Sequence, residues 1–335
     1  MKRLELLVVQ LEEAKRMVEV DRIAQLRLAY IVLDSAAEVI LHRSTEGFLE
    51  HKKFLSDLLN QWKTYEAAGL SGEKFQSQIE SLEKEVLSKN KVREIERNFD
   101  AKVSFMISQC ALPGELAPVL KKLHQYRNEI YHRDELRLDL IRPATLIYFD
   151  IVCTLLDHYS QGGVSYGSND DFGPELLSYI DSENPASFFR PDLHKTVAAR
   201  MRDELGLGVD VVRQALTAYL VARLEDMMSD LTFIADNLAV PGLSADDALR
   251  LVQADLSSNP SLVDIRSQRF TYNPSDLHGW RERSMSLSSI SDKVDMFTEY
   301  AAIEDDFEPL ERLIKKAALE VDREVQLQLD IARGK

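Results

Sequence analysis

The residues best suited to chemistry gather in one stretch, LKKLHQYRNEIYHRDEL, which puts Arg127, Asn128 and His132 on a single predicted helix from about Glu115 to Asp134. Leu116, Leu120, Leu123 and Ile130 form its apolar stripe, and Arg127 falls inside that stripe. A guanidinium cannot shed its charge, so at such a position it must be paired, or face a cleft or another subunit. Asn128 and His132, four residues apart, share the neighbouring ridge with His124 and Gln125. The helix thus offers a fixed cation, an amide and a titratable imidazole within two turns. That set suits metal-free cleavage of a phosphodiester. Histidine, with an ordinary pKa of about 6.5, takes a proton from a 2′-hydroxyl or returns one to a leaving oxygen. Arginine binds the charge that builds on the phosphoryl oxygens, and asparagine orients either partner. One copy supplies too few groups for a full acid–base pair, whereas a two-fold dimer packing this helix against its mate brings two sets into one cleft.

The run Arg127-Asn128-Glu129-Ile130-Tyr131-His132 resembles the R-x4-6-H motif of the HEPN superfamily of all-α ribonucleases, including the polar residue after the arginine. The surroundings are similar too: a long early helix, RIAQLRLAYIVLDSAAEVILHR, and an apolar helix directly after the motif, RPATLIYFDIVCTLLDH. The resemblance covers about residues 20–160. It implies an obligate homodimer and a metal-independent endoribonuclease acting through Arg127 and His132 of both chains, with 2′,3′-cyclic phosphate and 5′-hydroxyl products. It implies no cofactor, and a toxin or antiviral defence role. In this reading Arg127 stabilises the transition state, His132 is acid or base, and Asn128 positions. Lys121, Lys122, Tyr131 and Arg133 are the expected RNA contacts, and an antitoxin or other regulatory partner is expected beside the RNA.

A plainer reading of the same residues pairs Arg127 with a buried acid, Asp34, Glu38 or Asp150, and lets His132 close a helix, where a cation suits the dipole. A functional Arg127 also needs an orienting partner, so pairing alone does not discriminate. The rival function is a non-catalytic helical interaction or regulatory module, or a scaffold built around a polar arm near residues 75–105. His132-Arg133-Asp134 and Asp171-Phe172-Gly173 spell two protein-kinase signatures, but position 139 is Asp where a kinase needs Asn, and no glycine-rich loop or strand lysine precedes them. No metal site is expected: His124 and His132 are eight apart, roughly 12 Å along a helix, too far to share an ion. Trp62, Trp280 and most Tyr and Phe residues are expected to be packing groups.

Composition bounds these readings. The 335 residues carry a formal charge of −15, which argues against a general nucleic-acid coat. The charge is uneven: residues 1–160 hold 23 Lys and Arg against 25 Asp and Glu, and residues 161–335 hold 18 against 31. The stretch from Leu116 to Arg142 is locally basic, with Lys121, Lys122, Arg127, Arg133, Arg137 and Arg142. Two cysteines, Cys110 and Cys153, are too few for a disulfide framework and suit a reducing compartment, so a cytoplasmic location is expected. Neither a secretory signal nor a membrane span is expected.

Apolar residues recur three and four apart along most of the chain, which predicts an all-α fold: a HEPN-like bundle followed by a second helical domain. Helices are predicted from Asp21, as N-cap, to His42, from Phe48 to Trp62, and from Pro143, as first residue, to Tyr159. In the second half they are predicted over Pro191–Leu205, Val209–Leu238, Ala245–Leu256 and Phe307–Ile331. Glycines in 160–173 mark a linker, with domains expected over 1–160 and 174–335. The acidic second half reads as a solvated surface or as a regulator of the first.

Overall fold

The computed structural model describes residues 2–69, 73–133, 138–159, 172–180, 192–238, 242–254 and 261–333, with the side chains of residues 73–74 and 130–139 outside that description. Among the described residues the protein is all-α, with no strand. No single helix there is long and apolar enough to cross a membrane. The chain divides into two compact units, residues 1–136 with 145–207, and residues 137–144 with 208–335.

The first unit opens with α1 (Lys2–Val20), whose Leu4, Leu7, Val8, Leu11, Ala14 and Val18 form one buried stripe. It folds back on α2 (Ile23–Ala67) as an antiparallel pair, with the Arg43 guanidinium donating to the carbonyl of Arg3 and Gln10 meeting Ser35. Asp21 is not the N-cap its type suggested. It occupies the reversal between the two helices with φ of 50°, a left-handed conformation that aspartate tolerates better than most residues, and α2 starts behind Arg22. The two helices predicted over 21–42 and 48–62 are one, because nothing at Gly47 interrupts the hydrogen-bond ladder.

The far half of α2 is largely exposed and carries α3 (Glu73–Glu85) and α4 (Lys89–Arg97). The polar arm ends there. In α5 (Phe99–Ser108) the side chains of Phe99, Val103, Phe105 and Met106 are buried, and the helix packs on α2 and on α6 (Leu116–Arg133). Next comes α7 (Leu138–Asp157), in which every residue from Ile147 to Cys153 is buried, the pattern of a helix enclosed on all sides. It begins ahead of Pro143, which therefore lies inside it; its first residues, 138–144, count with the second unit, and Leu140 and Ile141 among them are buried.

Most of the glycine-rich segment 160–173 lies outside the described residues. On its far side α8 (Pro174–Leu177) and α9 (Leu193–Glu204) pack on α1, so the first unit extends to Leu207. Side chains of α1 make the attachment: Glu5 accepts from the Gly173 amide, Glu12 accepts from the Tyr179 hydroxyl, and Lys15 pairs with Glu204. From α9, Arg202 reaches Asp150 at 3.0 Å, Asp157 at 2.7 Å and the Thr154 hydroxyl at 2.7 Å on α7. Glycine content does not record these contacts, which join residues on the two sides of the segment 160–173 within one compact unit.

The second unit is organised around α10 (Val209–Asn237), against which α11 (Ala245–Leu251), α13 (Pro274–Ser286) and α14 (Lys293–Ala332) pack, with α12 (Leu262–Ser267) on α11. Its core contains a buried ionic cluster: Arg223 lies between Glu304 and Glu311, all three 2% exposed. Burial alone would lower the arginine's pKa, but the Glu311 and Glu304 carboxylates outweigh it and hold the guanidinium charged. α14 starts fourteen residues before the predicted Phe307 and runs through Pro309 because Met296, Phe297, Tyr300 and Ile303 already bury its face.

Candidate functional site

The site is built on α6, whose apolar positions Leu116, Val119, Leu120, Leu123 and Tyr126 are buried and hold the helix against its neighbours. The backbone carbonyl of Leu123 accepts from the Tyr30 hydroxyl of α2 at 2.7 Å, and the Tyr30 ring meets Tyr126 and Tyr148 edge to face at 5.6 and 5.1 Å. This aromatic cluster sets the register of α6 against α2 and α7.

At the same junction Asp34 of α2 is fully buried and collects three partners. One oxygen accepts from the Tyr148 hydroxyl at 2.6 Å and lies 2.9 Å from His124 Nδ1. The other lies 3.1 Å from Arg127 Nε. Arg127 is therefore paired with Asp34, one of the three acids that could serve it, and its side chain keeps 25% of its surface exposed. Its Nη1 donates to the Asn128 side-chain oxygen at 3.0 Å, so the amide is bonded to the guanidinium it was expected to help position. The other two acids go elsewhere: Glu38 comes within 3.9 Å of His124, and Asp150 binds Arg202.

His124 stacks on Phe99 of α5, ring centroids 3.9 Å apart and planes 8° from parallel, which fixes the imidazole from the side opposite the helix. Burial first, and then the Asp34 carboxylate, hold the Tyr148 phenol well above its ordinary pKa of 10.0, with Arg127 pulling the other way. Tyr148 was not among the expected site residues. The signal for it was present, since a hydroxyl in the middle of an otherwise apolar helix needs an acceptor.

Of the expected RNA contacts, Lys121 reaches the Ser104 hydroxyl of α5 at 2.9 Å, and Lys122 is half-buried on the same helix. Tyr131, His132 and Arg133 belong to the last turn of α6, but their side chains lie outside the described residues. Positions 127 and 132 are five residues apart, about 140° around the helix axis.

Asp34, Glu38 and His124 also bring their ligand atoms within 4.8 Å of one another, the spacing of a cation site. The Arg127 guanidinium already supplies positive charge to Asp34, so a cation entering there would compete with it. Chemically, the arrangement presents a part-exposed guanidinium held beside a buried carboxylate and bonded to an amide, a group suited to meeting an anion. No protein-family model matches the chain, and comparison with curated proteins and with solved structures gives no match.

Proposed function

We propose that the protein is a metal-independent endoribonuclease of HEPN type that acts as a homodimer, with RNA held at the α6 surface. The observation that carries this reading is Arg127: fixed by the buried Asp34 carboxylate, bonded to Asn128, and still one-quarter exposed. A charge meant only to glue α2 to α6 has no need of an open side, whereas one that must meet a phosphoryl oxygen does. His132 supplies the proton transfer. Because positions 127 and 132 diverge by about 140° around one helix, the reading calls on a second copy of α6 to bring an arginine and a histidine to the same linkage. Asp34 is then a positioning residue, and Lys121 and Lys122 approach the RNA backbone.

A second reading, the non-catalytic helical module, is favoured by one observation: Asp34, His124 and Tyr148 satisfy one another internally, as a purely structural network would. Purified protein incubated with total RNA in EDTA, alongside Arg127→Ala and His132→Ala, separates the two. Cleavage by the parent, lost in both variants while the particle mass stays that of a dimer, supports the nuclease. An inactive parent, or a strict monomer, removes it in favour of the module.

A further inference from the structure

The second unit contains a cavity of about 310 Å³ between α11 and the segment that leads into α13. Among its lining residues are two arginines, Arg250 and Arg269, and two aromatic rings, Phe270 and Tyr272; among the described residues the lining contains no carboxylate. This stands out in a half of the chain where Asp and Glu outnumber Lys and Arg by 31 to 18.

The walls are tied in place. Gln253 donates to the carbonyls of Leu249 and Tyr272 at 2.8 and 3.0 Å and accepts from the Tyr272 amide at 2.9 Å, pinning the aromatic segment to α11. Arg266 forms a two-pronged bond with Asp247, at 2.8 and 2.7 Å, which anchors the other end of the segment. The Tyr272 ring rests 5.8 Å from buried Trp280. Arg250 spends only Nη1 on the protein, toward the carbonyls of Arg266 and Gln268 at 3.2 and 3.5 Å. Its remaining donors, and the whole of Arg269, make no hydrogen bond or ion pair among the described residues.

Two guanidinium groups with spare donors recognise a phosphate, and two half-buried rings recognise a flat heterocycle. The volume matches one such unit rather than a polymer. We propose that this cavity binds a nucleoside monophosphate, its phosphate on Arg250 and Arg269 and its base against Phe270 and Tyr272. The site belongs to the second unit, and the proposal does not depend on the nuclease reading.

The test is calorimetric titration of the full-length protein with AMP, GMP, CMP and UMP, and with adenosine and inorganic phosphate as the two half-ligands. At least one nucleotide is expected to saturate a single site per chain, with each half-ligand weaker by about tenfold or more, the scale of one lost charge-assisted bond. Arg269→Gln, a surface change that leaves the melting temperature unaltered, is expected to weaken the nucleotide by about tenfold, as is Phe270→Leu. Arg127→Ala is expected to leave the affinity unchanged. The proposal is overturned if no nucleotide binds, if Arg269→Gln binds as the parent does, if inorganic phosphate matches the nucleotide, or if Arg127→Ala abolishes binding.

Discussion

Replacing Asp34 by alanine tests how the α2, α6 and α7 junction is held. The carboxylate is wholly buried and serves three groups, whose losses differ in size. The Tyr148 hydroxyl has no route to water, so leaving it without an acceptor costs about 1–3 kcal/mol. His124, with 16% of its side chain exposed, loses one bond of about 1 kcal/mol. Arg127 is one-quarter exposed and turns its charge toward solvent, so its share falls well short of the about 3–5 kcal/mol of a fully buried pair. These losses overlap, and the expected total is about 3 kcal/mol for Asp34→Ala. Asp34→Asn keeps an acceptor for Tyr148 and is expected to cost about half as much. Native-state hydrogen exchange, resolved by peptide, is the assay, because a chain with two units is not a single two-state system. Peptides covering Leu26–Leu41 and Leu116–Tyr126 should lose protection, while those of α10 and α14 serve as the internal control. A double-mutant cycle with Tyr148→Phe should return a coupling of about 1–2 kcal/mol. If Asp34→Ala changes exchange in α2 and α6 by less than about 1 kcal/mol, or loosens both units equally, Asp34 does not organise the junction and the account of Arg127 fails with it.

Other consequences follow from the same geometry. Tyr148 and Tyr300 are both held well above 10.0, chiefly by burial and then by Asp34 and Glu304 respectively, so the folded state prefers them protonated. Stability from this source is complete below about pH 10 and declines as pH rises further, and tyrosinate absorbance should appear together with loss of helical circular dichroism. Arg223→Met strands two buried carboxylates and should destabilise the second unit by about 3–5 kcal/mol, whereas adding Glu304→Leu and Glu311→Leu should recover much of the loss. The emission of buried Trp280 in a Trp62→Phe background, followed through urea, reads this out for the second unit alone. Deleting residues 320–335 removes side chains that are mostly exposed, among them Leu327 at 54% and Ile331 at 66%, and should alter that unit's stability by less than about 1 kcal/mol.

Much of the helix pattern was legible because it is local. The stripe Leu116, Leu120, Leu123 places α6 to within a residue or two of its observed ends, and α9 and α10 are read nearly as well. The misreadings share a cause: each followed a residue's habit at a place where packing overruled it. Asp21 has the type of a cap but occupies a reversal, and Pro143 has the type of a helix starter but lies inside a helix in which Leu140 and Ile141 are already buried. α1 has a buried stripe as regular as any other, although no helix is predicted over its residues.

For the site, residue order along the chain was enough to put Arg127, Asn128 and His132 on one helix and to demand a counter-charge for Arg127. The choice among Asp34, Glu38 and Asp150 was not in the sequence, since all three are acids on helices that approach α6 or α7. Which carboxylate meets which guanidinium depends on the rotation of α2 and α7 about their axes, and that is set by the ring contacts of Tyr30, Tyr126 and Tyr148 and by the enclosed face of α7. Periodicity along one helix is a short-range property that a string of residues records; the pairing of charges between helices separated by nearly a hundred positions exists only once the core has closed around them.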